Sequence, residues 1–116
     1  NYDQIAKTAA LFPTNGVELT PSVKARLDLV ALYVSSDPSV EYIYIDGHTD
    51  NIGPRRDNRQ LSKTRAEIVT AYLLDKGVPA TKIVSRYHGE RYPVTNNNSY
   101  TGRERNRRVT IRLEKQ

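Results

Sequence analysis

The stretch Glu41-Tyr42-Ile43-Tyr44-Ile45-Asp46-Gly47-His48-Thr49-Asp50 reads as one β-strand, Glu41 to His48, running into a loop. Tyr42 and Tyr44 fall on one side of an extended chain and Ile43 and Ile45 on the other. Both faces are then largely apolar, as in a strand covered on both sides or at least flanked by neighbours. Fifteen residues beyond Asp50 stands Arg65. Between Arg59 and Leu73 the large apolar residues Leu61, Ile68, Val69, Tyr72 and Leu73 recur at helical spacing, and Arg65 lies on that same stripe, four after Leu61 and three before Ile68. A guanidinium cannot shed its proton, so a side chain aimed at the core needs partners. A stem running along the core edge or an internal carboxylate would satisfy it. So would a bound ligand, and an acid at a strand end with a base on a core-facing stripe fits a ligand bearing both charges.

Working outward, Ile5 to Phe12 forms a first strand and Pro13-Thr14-Asn15-Gly16 a turn. Thr20-Pro21 opens a helix with Val23, Leu27, Val30 and Val34 as its buried stripe, and Asp37-Pro38 stops it. Gly53-Pro54 breaks the chain before the Arg65 helix, which Asn58 is placed to cap and Gly77 to end. Lys82 to His88 reads as a third strand, Tyr92 to Tyr100 as a polar loop, Thr101 to Asn106 as a helical turn and Arg107 to Leu113 as the last strand. The order βαβαββ predicts a two-layer α/β sandwich, a small mixed sheet with two long helices on one face. His48, Thr49 and Asp50 then emerge at the carboxyl end of their strand, where open α/β sheets take ligands.

Composition narrows the function classes. The chain has 116 residues, enough for one domain with a real core, and no cysteine, which excludes disulfides and thiolate chemistry. No apolar run reaches membrane-spanning length, so no direct membrane span is expected. A chain that opens on Asn1 reads as a fragment or processed product, expected to be the C-terminal part of a longer protein. The net charge of +5 is uneven: residues 1–50 carry three Lys or Arg and seven Asp or Glu, residues 51–116 fifteen and six. The basic run Arg103 to Arg108 offers an alternative function, a nucleic-acid or other polyanion-binding module. Against it, Arg108, Thr110 and Arg112 alternate with Val109, Ile111 and Leu113, as in a strand with one solvated face, and only Tyr100 adds an aromatic nearby.

Enzymatic readings find little support. His48, Asp50 and His88 could be drawn as a metal site, but no ligand pair has metal-motif spacing, and the two histidines read as strand-end residues. Asp46 and Asp50 could be drawn as a glycosidase pair, yet nothing raises a carboxyl pKa there, and Asp46 reads as an acceptor of structural hydrogen bonds. No cofactor is expected.

Several spaced motifs carry a resemblance. Ile45-Asp46-Gly47-His48-Thr49-Asp50-Asn51 with Gly53, then Asn58, Leu61-Ser62 and Arg65-Ala66, then Gly89, Pro93 and Asn96, and finally Gly102-Arg103 with Asn106-Arg107-Arg108-Val109, resemble the OmpA-like peptidoglycan-binding domain along essentially the whole chain. The resemblance implies non-covalent binding of peptidoglycan through the diaminopimelate of its stem peptide, without catalysis, in the periplasm beside the wall or outer membrane. It places the ligand aspartate on Asp50 and the ligand arginine on Arg65, with Thr49, Asn58, Arg107 and Asn15 in support. The family has an acidic residue soon after the aromatic closing its first strand, where this chain has Pro13-Thr14-Asn15. Within the family, His48, Arg55-Arg56-Asp57-Asn58, His88-Gly89-Glu90-Arg91 and Val109 to Leu113 are similar to the flagellar stator accessory type. That likeness implies stator or outer-membrane partners reached through further domains. Lipoprotein tethers and porin-linked tails share the same site.

The implied ligand has the right chemistry for the two residues. Diaminopimelate ends in an ammonium and a carboxylate on one carbon. Asp50 can accept from the first while the planar fork of Arg65 grips the second.

Overall fold

A computed structural model of the chain describes residues 5–12, 16–49, 55–88, 102 and 106–116. Seven elements follow one another: β1 (Lys7–Leu11), α1 (Pro21–Ser36), β2 (Val40–Gly47), α2 (Arg55–Asp75), a 3-10 turn (Ala80–Lys82), β3 (Ile83–Tyr87) and β4 (Arg108–Lys115). Each strand lies within two residues of its sequence expectation. The expected turn at Thr101 to Asn106 and the loop at Tyr92 to Tyr100 fall almost entirely outside the described residues.

The helix ends show why these segments fold as they do. The Thr20 hydroxyl accepts from the Val23 amide at 3.2 Å, and Pro21 takes the first helical position, where its missing N–H costs nothing. At the far end of α2, Gly77 adopts φ +97°, a conformation that a side chain would strain. There the Val78 amide donates to the Leu73 carbonyl and the Gly77 amide to Leu74, closing the helix with the paired bonds of a Schellman cap. Asn58 does not cap α2. The helix begins at Arg55, and Asn58 sits inside its first turns, buried.

The sheet order is β1-β4-β2-β3. β4 runs antiparallel to both β1 and β2, so β1 and β2 are parallel with β4 inserted between them, while β2 and β3 pair in parallel. Both helices cover one face. Val23, Leu27, Val30 and Val34 of α1 and Ala66, Val69 and Leu73 of α2 pack with Ala10, Phe12, Ile43, Ile45, Val109, Ile111 and Leu113 of the sheet. Among the described residues the other face carries no helix. Tyr42 and Tyr44 lie there, so β2 is flanked on both edges but layered on one side alone, and arginine side chains rather than a second layer cover Tyr44.

Gly47 closes β2 where α2 crosses it most tightly. A Cβ at this position would fall inside the Ser62 carbonyl group and 3.2 Å from the Ala66 side chain. The absent side chain lets the helix lie against the carboxyl end of β2, and that contact sets where Arg65 enters the sheet's edge.

Candidate ligand site

The inner face of α2 carries a polar stripe at its N-terminal end, Asn58, Ser62 and Arg65, before it turns apolar at Ala66 and Val69. All five are buried, and Arg65 has no exposed surface at all. Its Nε–H donates to the Gly16 carbonyl at 2.9 Å, and its Nη1 reaches the His48 carbonyl at a longer 3.4 Å. The guanidinium carbon stands 5.0 Å from the centroid of the Phe12 ring. Carbonyl dipoles and an aromatic face both favour a cation, and together they fix the fork's orientation at the carboxyl end of β2.

Phe12 also anchors the second buried arginine. Arg107 donates through Nε to the Phe12 carbonyl at 2.9 Å, and the Phe12 amide returns a bond to the Arg107 carbonyl at 2.8 Å. Thus Arg65 and Arg107, far apart in sequence, meet through one residue of the first strand's end. Thr49 is 1% exposed, and among the described residues its hydroxyl has no hydrogen-bond partner. Leaving such a group unmet costs about 1–3 kcal/mol, so this hydroxyl stands ready to bond whatever enters beside it. The structure therefore brings Thr49, Asn58, Arg65 and Arg107 into the buried shell around one end of the sheet. Asp50 and Asn15 lie outside the described residues.

On the open face of the same strand end lies a separate charged cluster. The Asp46 carboxylate receives two bonds from Arg86, 2.7 Å from Nε and 3.0 Å from Nη2, and lies 2.8 Å from His88 Nε2. Burial alone would push its carboxyl up, but Arg86 and His88 outweigh burial and hold it below the usual carboxylate range. The His48 and His88 rings stack with centroids 5.0 Å apart. Burial, with the charges of Arg108 and His88, lowers His48 from 6.5 to about 4. It is neutral at pH 7. Among the described residues no group of three potential ligands could hold a metal ion. Asp46 is a structural acceptor, as its sequence position implied.

One expectation needs correction. Arg108 was placed on a solvated strand face with Thr110 and Arg112, but it is only 6% exposed. Alternation puts it on the helix-free face correctly. Its strand, however, is interior: Leu11 flanks it in register on one side, and the His48 amide bonds its carbonyl on the other. Burial brings its guanidinium down to about 10. Arg112, two pairs along, is exposed and lies 4.5 Å from the Tyr44 ring centroid. Sequence reading also missed the Gly16 and His48 carbonyls that aim Arg65, because backbone acceptors leave no residue signature. The Phe12 ring beneath Arg65 carried a signal, an aromatic closing the first strand, that had not been tied to the arginine.

The OmpA family's sequence model matches residues 11–107. The sodium-type flagellar protein MotY of Vibrio parahaemolyticus is 30% identical over 113 residues, covering 97% of this chain and 39% of that protein. Outer membrane protein A of Escherichia fergusonii is 41% identical over 92 residues, covering 78% of this chain and 38% of the relative. This chain thus spans about two fifths of the length of these curated relatives. Among solved structures, the peptidoglycan-associated lipoprotein from Burkholderia pseudomallei superposes with a TM-score of 0.86 at 26% identity, covering 91% of this chain and 89% of that one.

Proposed function

The chain belongs to the OmpA family, and from that premise we propose that it is a non-enzymatic module of a longer protein that holds peptidoglycan by the diaminopimelate of the stem peptide. The observation that carries this reading is Arg65, a fully buried guanidinium aimed by two backbone carbonyls and the Phe12 ring at the carboxyl end of β2. In this reading the fork grips the terminal carboxylate of the ligand through two parallel bonds, Asp50 accepts from the ammonium on the same carbon, and the Thr49 hydroxyl completes the shell. Asn58 and Arg107 hold the pocket's walls, with Asn15 assigned a supporting role by the resemblance. The relative named for its association with peptidoglycan shares the fold along nearly the whole chain, which supports the assignment.

The module's place is the periplasm, against the wall or outer membrane; among the described residues no helix is long and apolar enough to cross a membrane. The similarity to MotY along 97% of the chain favours a flagellar stator component over a lipoprotein tether or a porin tail, with stator partners engaged by parts of the protein beyond this module. The polyanion alternative loses ground because Arg108 is buried and Arg112 is taken up by Tyr44 and Glu114.

Removing one group from the ligand tests the proposal. Lysine in place of diaminopimelate deletes the carboxylate and keeps the ammonium, and a site built around a charged partner rejects the analogue that lacks it. Titration calorimetry should show the lysine-type muropeptide binding at least about tenfold more weakly, about 1.4 kcal/mol. Arg65→Ala should erase the difference. Equal affinities in the unaltered protein would refute the role given to Arg65.

A further inference from the structure

Outside the buried site, α2 and the end of β3 form an open groove of about 340 Å³ lined by Arg56, Asp57, Arg59, Gln60, Lys63 and Tyr87. Three cations and one carboxylate meet there. Arg59 and Lys63 stand one helical turn apart with their charges 5.6 and 5.7 Å from the same Tyr87 ring. Like charges at this spacing repel and weaken a helix, and the ring offsets that only while both stay over it.

Several exposed cations elsewhere have carboxylates: Lys76 with Asp28, Arg86 with Asp46, Arg112 with Glu114 and Lys115 with Asp37. Among the described residues, Arg56, Arg59 and Lys63 have none. Their donors converge on one concavity with an aromatic wall, the arrangement that receives a carboxylate carried on a partly apolar chain.

Its position says which chain. Tyr87 pairs in register with Gly47, the residue that leads into His48 and Thr49, and Lys63 stands two residues before Arg65 on the same helix. The groove and the buried pocket thus share the carboxyl end of β2 and the first half of α2, one on the helix's outer side and one on its inner side. We propose that this groove is a second anionic subsite, taking the carboxylates of a neighbouring peptide of the same wall polymer whose diaminopimelate sits at Arg65. The subsite rests on the wall-binding reading for its ligand but not for its chemistry. Two weak points on one polymer reinforce each other, because engagement of the first raises the local concentration of the second.

The double variant Arg59→Gln/Lys63→Gln changes only side chains at the groove, and a thermal melt confirms its fold. It should bind a single-stem muropeptide within about twofold of the unaltered protein, yet lose about tenfold in retention on intact sacculi at low salt, with a flatter salt dependence. Arg65→Ala gives the mirror image: the single muropeptide binds only as weakly as the lysine-type one, with residual, salt-sensitive retention on sacculi that disappears when the groove variant is added. Failure of the unaltered protein to bind the single muropeptide would sink the Arg65 reading, while the groove is still judged by that salt-sensitive retention. Unchanged retention and salt dependence in the double variant overturn the subsite. Vesicles one-third anionic in lipid that pellet the unaltered protein but not the double variant would overturn it in favour of a membrane surface.

Discussion

Two arginines near the carboxyl end of β2 differ in what holds them. Arg86, on the helix-free face, is half exposed and forks onto the Asp46 carboxylate. Arg65, on the helix-covered face, is fully buried, and carbonyl oxygens and an aromatic ring aim it. A carboxylate partner engages an arginine's bidentate geometry inside the protein, whereas the Gly16 and His48 carbonyls orient the Arg65 fork at the strand's end. The difference sets a structural ion pair apart from the group we propose grips the ligand, and burial alone would not have done so, since Arg108 is buried as well.

The largest expected effect breaks the comparison on the Arg65 side. Arg65→Ala, like Asp50→Ala, should lower cosedimentation with purified sacculi by about 100-fold or more, about 2.7 kcal/mol, with the far-ultraviolet dichroism unchanged. Sacculus binding at the unaltered level by either folded variant would remove both residues from the site. Next comes the glycine that lets α2 approach. Gly47→Ala pushes Ser62 and Ala66, and with them α2, away from β2 and should cost about 2 kcal/mol in urea unfolding, and it should weaken wall binding too, because Arg65 rides on the displaced helix. A variant with unaltered stability and binding would show that the close approach does not position Arg65.

Acid sharpens the open-face side. Folded His48 titrates near 4 against 6.5 for an ordinary imidazole, with Asp46, Arg86, His88 and Arg108 grouped around it. Between about pH 6.5 and 4 the unfolded chain takes up a proton that the folded one refuses, so stability falls as pH falls through that window. The depressed Asp46 adds to the loss at still lower pH, as its carboxyl finally protonates. Urea midpoints should therefore drop from pH 7 to pH 4, and His48→Gln should flatten the upper part of that slope. A slope that survived the substitution would exonerate His48. The smallest effect belongs to Arg86→Gln: stability lower by about 0.5–1 kcal/mol, as for a half-exposed pair, and sacculus binding within about twofold. A large binding loss there would erase the distinction between the two arginines.

What the sequence made legible follows from where local chemistry decides. Thr20-Pro21 and Gly77 mark helix ends because capping is a matter of neighbouring backbone groups, and strand alternation set Ile43 and Ile45 on one face of β2 and Tyr42 and Tyr44 on the other. Arg65 was legible because a charge on an apolar stripe is an anomaly at any level of knowledge. Asn58 was misread as a cap, since the same residue type also serves as a buried polar group within a helix. Arg108 was misread because alternation gives the face of a residue but not what flanks it, and sheet order depends on contacts distant in sequence. The unpaired cations of α2 could not be seen at all, for a run of charges looks the same whether or not carboxylates reach it.

The insertion of β4 between β1 and β2 carries a consequence for how the molecule comes to exist. Of the four described strands, β4 is made last and belongs to both antiparallel ladders, so neither ladder can form while only the earlier elements have been made. Local helices can flicker into being on the emerging chain, but the sheet must wait for Arg108 to Lys115, and contacts separated by roughly a hundred residues make that closing step the slow one. Cutting the chain before β4 would therefore remove the keystone of the sheet rather than trim an edge.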